Sequence, residues 1–259
     1  MLVPKLSISS EYPLSSWFSG NLASQPPKCH HMSSNFNVPI GRSMSNRRWK
    51  TEKQELGAIK AASKELERID NVFYTYANTT SGVIEPEGIE RLCADMEVDP
   101  TDVRVLMLAW KMRAEKQGYF TLEEWRVALK ALRADSLSKL KKALPELEKE
   151  VRRPSNFVDF YSYGFKYCLT EEKQKSIDIE SICQLLHIIL GSQYQAQVDS
   201  FVEYLKTQSD YKVINMDQWM GFYRFCDQIS YPDLSNYDPE LAWPLILDNF
   251  VEWVREKQS

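Results

Sequence analysis

Apolar residues recur along most of this chain at intervals of three, four and seven positions. From Thr51 onward, Leu56, Ile59, Leu66, Ile69, Phe73 and Tyr76 trace one face of an amphipathic helix, so the folded region is expected to start there. The same period predicts helices over 156–169, 178–190, 195–208, 215–228 and 243–256. Runs of alternating apolar and polar residues rich in β-branched side chains are scarce, which leaves little for a sheet and predicts an all-α fold.

Cap residues place several helix starts. Asp99 followed by Pro100, Thr121 with Glu124 three positions on, and Ser136 ahead of Leu137 and Leu140 each offer an oxygen to backbone N–H groups that a helix leaves unpaired. Pro145 and Pro244 should kink or begin helices, because proline lacks the N–H that a helix interior uses. The stretch Glu150 to Pro154 is the best internal boundary, dividing the folded region 51–259 into packed helical subdomains of about 51–153 and 154–259.

Residues 1–50 differ from the rest. They are rich in Ser, Asn and Pro and carry Lys5, Lys28, Arg42, Arg47, Arg48 and Lys50 against Glu11 alone, so a disordered tail is expected. A basic, Ser-rich, acid-poor segment also resembles an organelle transit peptide, although its prolines interrupt the amphipathic helix such peptides form. Setting the tail's six basic and one acidic residues aside leaves 26 basic and 35 acidic in the body of a chain whose total formal charge is -4. An acidic body favours basic protein surfaces over nucleic acid. No stretch approaches the ~20 apolar residues of a membrane span, so no membrane partner is expected. The five cysteines, Cys29, Cys93, Cys168, Cys183 and Cys226, are widely spaced with no C-x-x-C pair, which fits neither a disulfide framework nor a zinc site.

Three segments invite comparison with EF-hand loops, which need oxygen ligands at positions 1, 3, 5, 9 and 12, Gly at 6 and an apolar residue at 8. With Gly82 at position 6 and Ile84 at 8, the first loop has Ala77, Thr79 and Ser81 at its leading ligand positions and Gly88 at the last. The second has Gly118, Phe120 and Glu124 at 6, 8 and 12, but Arg113 puts a cation at position 1. The third, aligned on Ile214, offers Thr207, Ser209, Tyr211 and Gln218. The expectation is an EF-hand-like helix-loop-helix framework in the first subdomain without calcium ligands, and no metal or other cofactor. Such a framework presents a groove between helices that suits an amphipathic peptide.

Catalysis has little to stand on. The three histidines are His30, His31 and His187, and only His187 lies one helical turn from a cysteine, Cys183. Nothing nearby in sequence supplies an oxyanion hole or an orienting third group. There is also no Gly-rich phosphate loop, H-E-x-x-H or G-x-S-x-G. No enzymatic activity is expected.

The stretch from Leu234 to Glu252, with Ser235-Asn236-Tyr237-Asp238 leading to Ala242-Trp243-Pro244, resembles the end of the potentiating-neddylation domain of the defective-in-cullin-neddylation family. The similarity extends through 105–111, Asp159-Phe160-Tyr161 and 214–219, and spans roughly residues 60–255. The resemblance implies a scaffold-type co-ligase, resident in nucleus and cytoplasm. It would hold a cullin's winged-helix domain on one surface and the N-terminally acetylated helix of the neddylation conjugating enzyme in a hydrophobic groove, with a RING protein engaged indirectly. Residues matching the family's cullin-binding acidic-alanine-acidic patch are Asp217, Ala242 and Asp248. Those matching its acetyl-methionine groove are Val105, Leu108, Ala109, Met112, Gln117, Phe120, Tyr167, Leu185 and Ile188. Met112 and Tyr167 stand where relatives often carry Phe, and Gly118 is smaller than usual. Residues 1–50 lack the helical pattern of the ubiquitin-associated domain found in some relatives, so no ubiquitin binding is expected there.

Overall fold

A computed structural model describes the backbone from Asn46 and the side-chain surroundings from Gln54. The disorder or targeting role expected for the tail, and Cys29, His30 and His31, lie outside the described residues. Among the described residues ten helices and two short strands follow in order: α1 (Asn46–Tyr76), α2 (Pro86–Met96), α3 (Val103–Met112), α4 (Leu122–Ala131), α5 (Leu137–Val151), α6 (Pro154–Tyr167), β1 (Ser176–Asp178), α7 (Ile179–Leu190), α8 (Gln195–Thr207), β2 (Val213–Asn215), α9 (Met216–Gln228) and α10 (Leu245–Gln258). The fold is all-α, with β1 and β2 forming a two-stranded antiparallel ribbon in which Ile177 faces Ile214.

Helix α1 begins at Asn46, ahead of the expected start, and its periodicity divides into two parts. Ile69, Phe73 and Tyr76 are buried, whereas Leu56 and Ile59 are 56% and 65% exposed. The apolar spacing therefore yields one continuous helix, but among its described side chains those of the final turns are the ones that become buried. Fully burying a side chain such as Phe73 contributes about 1.5–3 kcal/mol. Trp125 of α4 donates its indole N–H to the Ile69 carbonyl at 3.1 Å, and Arg126 grips Asp70 through two bonds of 2.7 and 2.6 Å. These contacts fix the end of α1 against α4.

The loops after α1 and α3 pair with each other. Ile84 and Phe120 exchange two backbone hydrogen bonds of 2.9 Å, and both side chains are buried. Gly82 and Gly118, two residues before them, adopt φ of +72° and +78°, a region that L side chains rarely enter. At Gly88 an added Cβ would lie 2.4 Å from the Tyr76 carbonyl oxygen, so only glycine lets α2 approach the end of α1 this closely.

Thr121 with Glu124, and Ser136, cap α4 and α5 as their spacing predicts. The cap of α3 is Asp102, three residues after the expected Asp99. Asp99 instead accepts the Thr101 N–H at 2.8 Å in a turn that carries Pro100, so its side chain is already engaged. Pro145 also departs from expectation, since it sits inside α5. Its side chain is exposed, so the carbonyl one turn back that loses its N–H partner lies on the solvent side. Pro244, by contrast, directly precedes α10 as expected.

The link at 150–154 separates α5 from α6, yet the hydrophobic core runs continuously across it. Trp110 of α3 donates to Asp159 of α6 at 2.8 Å, and Lys111 pairs with Glu150 of α5 at 2.6 Å. Beyond the link, Tyr161 and Trp219 stack with ring centroids 4.3 Å apart. Each donates its side-chain hydrogen to the other's backbone carbonyl, at 3.1 and 3.0 Å. Both polar tips are thus satisfied inside the core. Phe201, Phe222, Phe225 and Phe250 continue this aromatic packing between α8, α9 and α10.

Candidate docking sites

A cleft opens where α3 meets the turn before it, the loop leading to Phe120, the end of α6 and helix α7. Seven of the nine groove residues named from the sequence line it: Val105, Ala109, Gln117, Phe120, Tyr167, Leu185 and Ile188. Leu108 and Met112 do not; each is 1% exposed within the core. Ile89, Pro100, Thr101, Asp102, Leu106 and Cys168 complete the lining. Gly118 is not part of it, and its backbone N–H donates to the Tyr167 hydroxyl at 3.2 Å, which anchors that phenol beneath the cleft.

The cleft is apolar and its one carboxylate is occupied. Asp102 takes three hydrogen bonds from Arg104, at 2.6 to 2.8 Å, counting the cap to the backbone N–H. Those bonds hold its carboxyl below the usual range. Burial pushes the Tyr167 hydroxyl up, and raises the Cys168 thiol to about 12, so both stay protonated near neutrality. Gln117 is half-buried and reaches Cys168 Sγ at 4.0 Å. An incoming group thus meets hydrocarbon walls, neutral donors and a primary amide, with no free charge to pair an ammonium.

The second site is acidic and lies between α9 and α10. Asp217 is exposed in the first turn of α9, which Asn215 caps through a reciprocal box with Gln218. Asp248 occupies the first turn of α10, and Ala242 is exposed on the loop before it. Gly221 brings these elements together, because a Cβ there would lie 2.7 Å from Pro244 Cγ. Asp217 stands one turn before Gly221 and Asp248 one turn after Pro244, so the close contact sets the two carboxylate-bearing turns on adjoining helices.

The loop from Ser230 to Pro244 is a folded brace. Asn236 accepts the Ser230 N–H and donates to the Gln228 carbonyl, both at 2.8 Å, closing the chain behind α9. The Tyr237 hydroxyl donates to Asp248 at 2.5 Å, which orients that carboxylate from below. Tyr237 also stacks on Trp243, whose other flank carries the Arg224 guanidinium 3.8 Å from the ring centroid. Arg224 reaches the Ala242 carbonyl at 3.4 Å. The Tyr, Trp and Pro of the sequence run that carries the family resemblance therefore hold Ala242 and Asp248 in place. Sequence reasoning did not assign roles to Tyr237, Arg224 or Gly221, although two of the brace's aromatics were visible in that run.

The third candidate, Cys183 with His187, is not assembled for catalysis. His187 Nδ1 lies 2.8 Å from the backbone carbonyl of Cys183, and Nε2 lies 3.3 Å from Asp199, a neighbour the sequence did not reveal. The Cys183 thiol is buried and raised to about 11 by desolvation, which keeps it from being a nucleophile. Among the described residues no group of three or more His, Cys, Asp or Glu side chains is arranged to hold a metal ion, and no helix is long and apolar enough to cross a membrane.

Comparison with known proteins gives the family. A family described as Cullin binding matches residues 139–253, which contain Asp217, the brace and Asp248. Human DCN1-like protein 5 is 38% identical over 187 residues, covering 72% of this chain and 77% of that protein. The chain belongs to the DCN1-like family. Human DCN1-like protein 4 is 42% identical over 186 residues, which is 72% of this chain but less than two thirds, 62%, of that relative. DCN1-like protein 2 of Dictyostelium discoideum is 36% identical over 199 residues, 73% of each chain. In this DCN1-like chain the cleft draws on both sides of residue 139, with Val105 and Ala109 before the matched region and Leu185 and Ile188 within it.

Proposed function

We propose that this protein acts in cullin neddylation as a non-catalytic, scaffold-type co-ligase in nucleus and cytoplasm. It binds a cullin's winged-helix domain at the acidic patch and the acetylated N-terminal helix of the neddylation conjugating enzyme in the cleft. The observation that supports this is Asp248, braced by the Tyr237 hydroxyl beside exposed Ala242, on elements packed against the helix whose first turn bears exposed Asp217, all within the region matched by the Cullin binding family. Two carboxylates flanking a small residue admit a basic surface closely and form charge-assisted hydrogen bonds with it. The cleft suits a neutral terminus: acetylation removes an ammonium whose desolvation nothing in the lining would offset. Holding both partners on one rigid core converts an encounter of separate molecules into a local one, so the rate gain comes from proximity and orientation. The RING protein of the cullin complex takes part through the cullin and the conjugating enzyme, not through a surface assigned here.

The test is a titration of a cullin–RING complex with the full chain and with the Asp217→Lys, Asp248→Lys variant. Asp217 is exposed and Asp248 half-buried in a first helical turn, and circular dichroism checks that the variant keeps native helicity. Affinity should fall by roughly a hundredfold or more, the scale of reversing two charges at the centre of an interface. Unchanged affinity in a folded variant would refute the assignment.

A further inference from the structure

Two leucines frame the acidic patch, and among the described residues none covers them. Leu241 is 51% exposed and Leu245 67% exposed, while their neighbours Trp243, Ile246 and Leu247 are buried. Their backbone is not free to turn them inward. Leu241 N–H donates to Asp238 at 3.3 Å and its carbonyl accepts from Trp243 at 2.7 Å, while Arg224 holds the Ala242 carbonyl between the two leucines. Leu245 opens α10 and shares a face with Asp248, three residues on. The loop brace thus presents two ordered apolar side chains beside an exposed Ala and a fixed carboxylate.

We infer that Leu241 and Leu245 form the apolar half of the cullin-docking surface. The segment this protein selects is then amphipathic, setting an apolar side chain on the leucine pair beside the basic groups that meet Asp217 and Asp248. The inference rests on the cullin assignment above and adds a specificity determinant to it. Charge complementarity chooses the partner, since an acidic patch continuous with the leucines excludes an acidic surface and favours a basic one. The ordering of the loop removes an entropic cost that mobile leucines would incur on docking. Apolar contacts at the centre of a polar interface also exclude water from the neighbouring ion pairs.

The experiment compares three full-length proteins, the native chain, Leu241→Ser with Leu245→Ser, and Asp217→Lys with Asp248→Lys, titrated with the same cullin–RING complex at several salt concentrations. Both leucines are largely exposed, so the serine variant should keep native helicity and melting behaviour. Its affinity should fall roughly tenfold or more at every salt concentration, with the slope of log affinity against log salt unchanged. The lysine variant should lose the salt dependence along with the affinity. A leucine variant that binds within twofold of native, while the lysine variant fails, overturns this inference and leaves the cullin assignment standing. Native-like binding by both variants overturns both. Sedimentation of the native chain adds a check: a dimer dispersed by the serine substitutions would assign the leucines to self-association and overturn the inference.

Discussion

The cleft beside α3 is built from residues between Ile89 and Ile188 that would otherwise be core, whereas the acidic patch is built from exposed Asp217 and Ala242 and half-buried Asp248. In the cleft the polar groups are silenced, with Asp102 saturated by Arg104 and the Tyr167 and Cys168 protons held in place. In the patch Asp217 is exposed, and half-buried Asp248 accepts a hydrogen bond from one phenol. The cleft therefore favours a ligand that has given up its charge, and the patch one that has kept it. On the proposed function the two partners then occupy separate sites and do not compete.

The sharpest way to break the contrast is to change the charge of the cleft's ligand. A peptide of the conjugating enzyme's N-terminal helix should bind roughly tenfold or more tightly when acetylated than with a free amine, because the ammonium must be desolvated without a counter-charge. Equal affinities in calorimetry would mean that the cleft does not discriminate by charge. Peptide affinity should be unaffected by Asp217→Lys with Asp248→Lys, which separates the two sites.

A smaller effect sharpens the other side. Tyr237→Phe keeps the stacking on Trp243 but removes the hydroxyl that orients Asp248. Cullin affinity should fall by roughly three- to tenfold, the net value of one ordinary hydrogen bond, with no change in peptide binding. Because Tyr237 acts through Asp248, the substitution should cost nothing further in an Asp248→Asn background. A full additional loss there would mean that the phenol contacts the cullin directly.

What the sequence revealed divides along the same line. Ala242 and Asp248 were assigned from a short run whose aromatic and proline positions carry the family resemblance, and Asp217 from the separate segment 214–219. The cleft was legible only in part. Helix α3 is buried on most sides, including Val105, Met107, Leu108, Ala109, Trp110 and Met112, so periodicity alone could not say which arc faces the cleft and which the core. Ile89 and the Pro100–Asp102 turn were invisible because their place depends on how α2 and its following turn pack against α3. Local chemistry fared better where one residue had no competitor, as at Thr121 and Ser136. It failed where Asp99 and Asp102 both offered a cap. Leu56 and Ile59 show the remaining gap: a helical repeat specifies a face, but tertiary packing decides whether that face is covered.

The central claim is that both sites must act on the same molecule. Reconstituted cullin neddylation would be measured with the native chain, with Asp217→Lys and Asp248→Lys, with Ile188→Asp in the half-buried wall of the cleft, and with the two variants mixed. Stimulation is expected from the native chain, little from either folded variant, and no recovery from the mixture, since proximity cannot be supplied in trans. Full stimulation by either variant alone, or restored by mixing them, would contradict it.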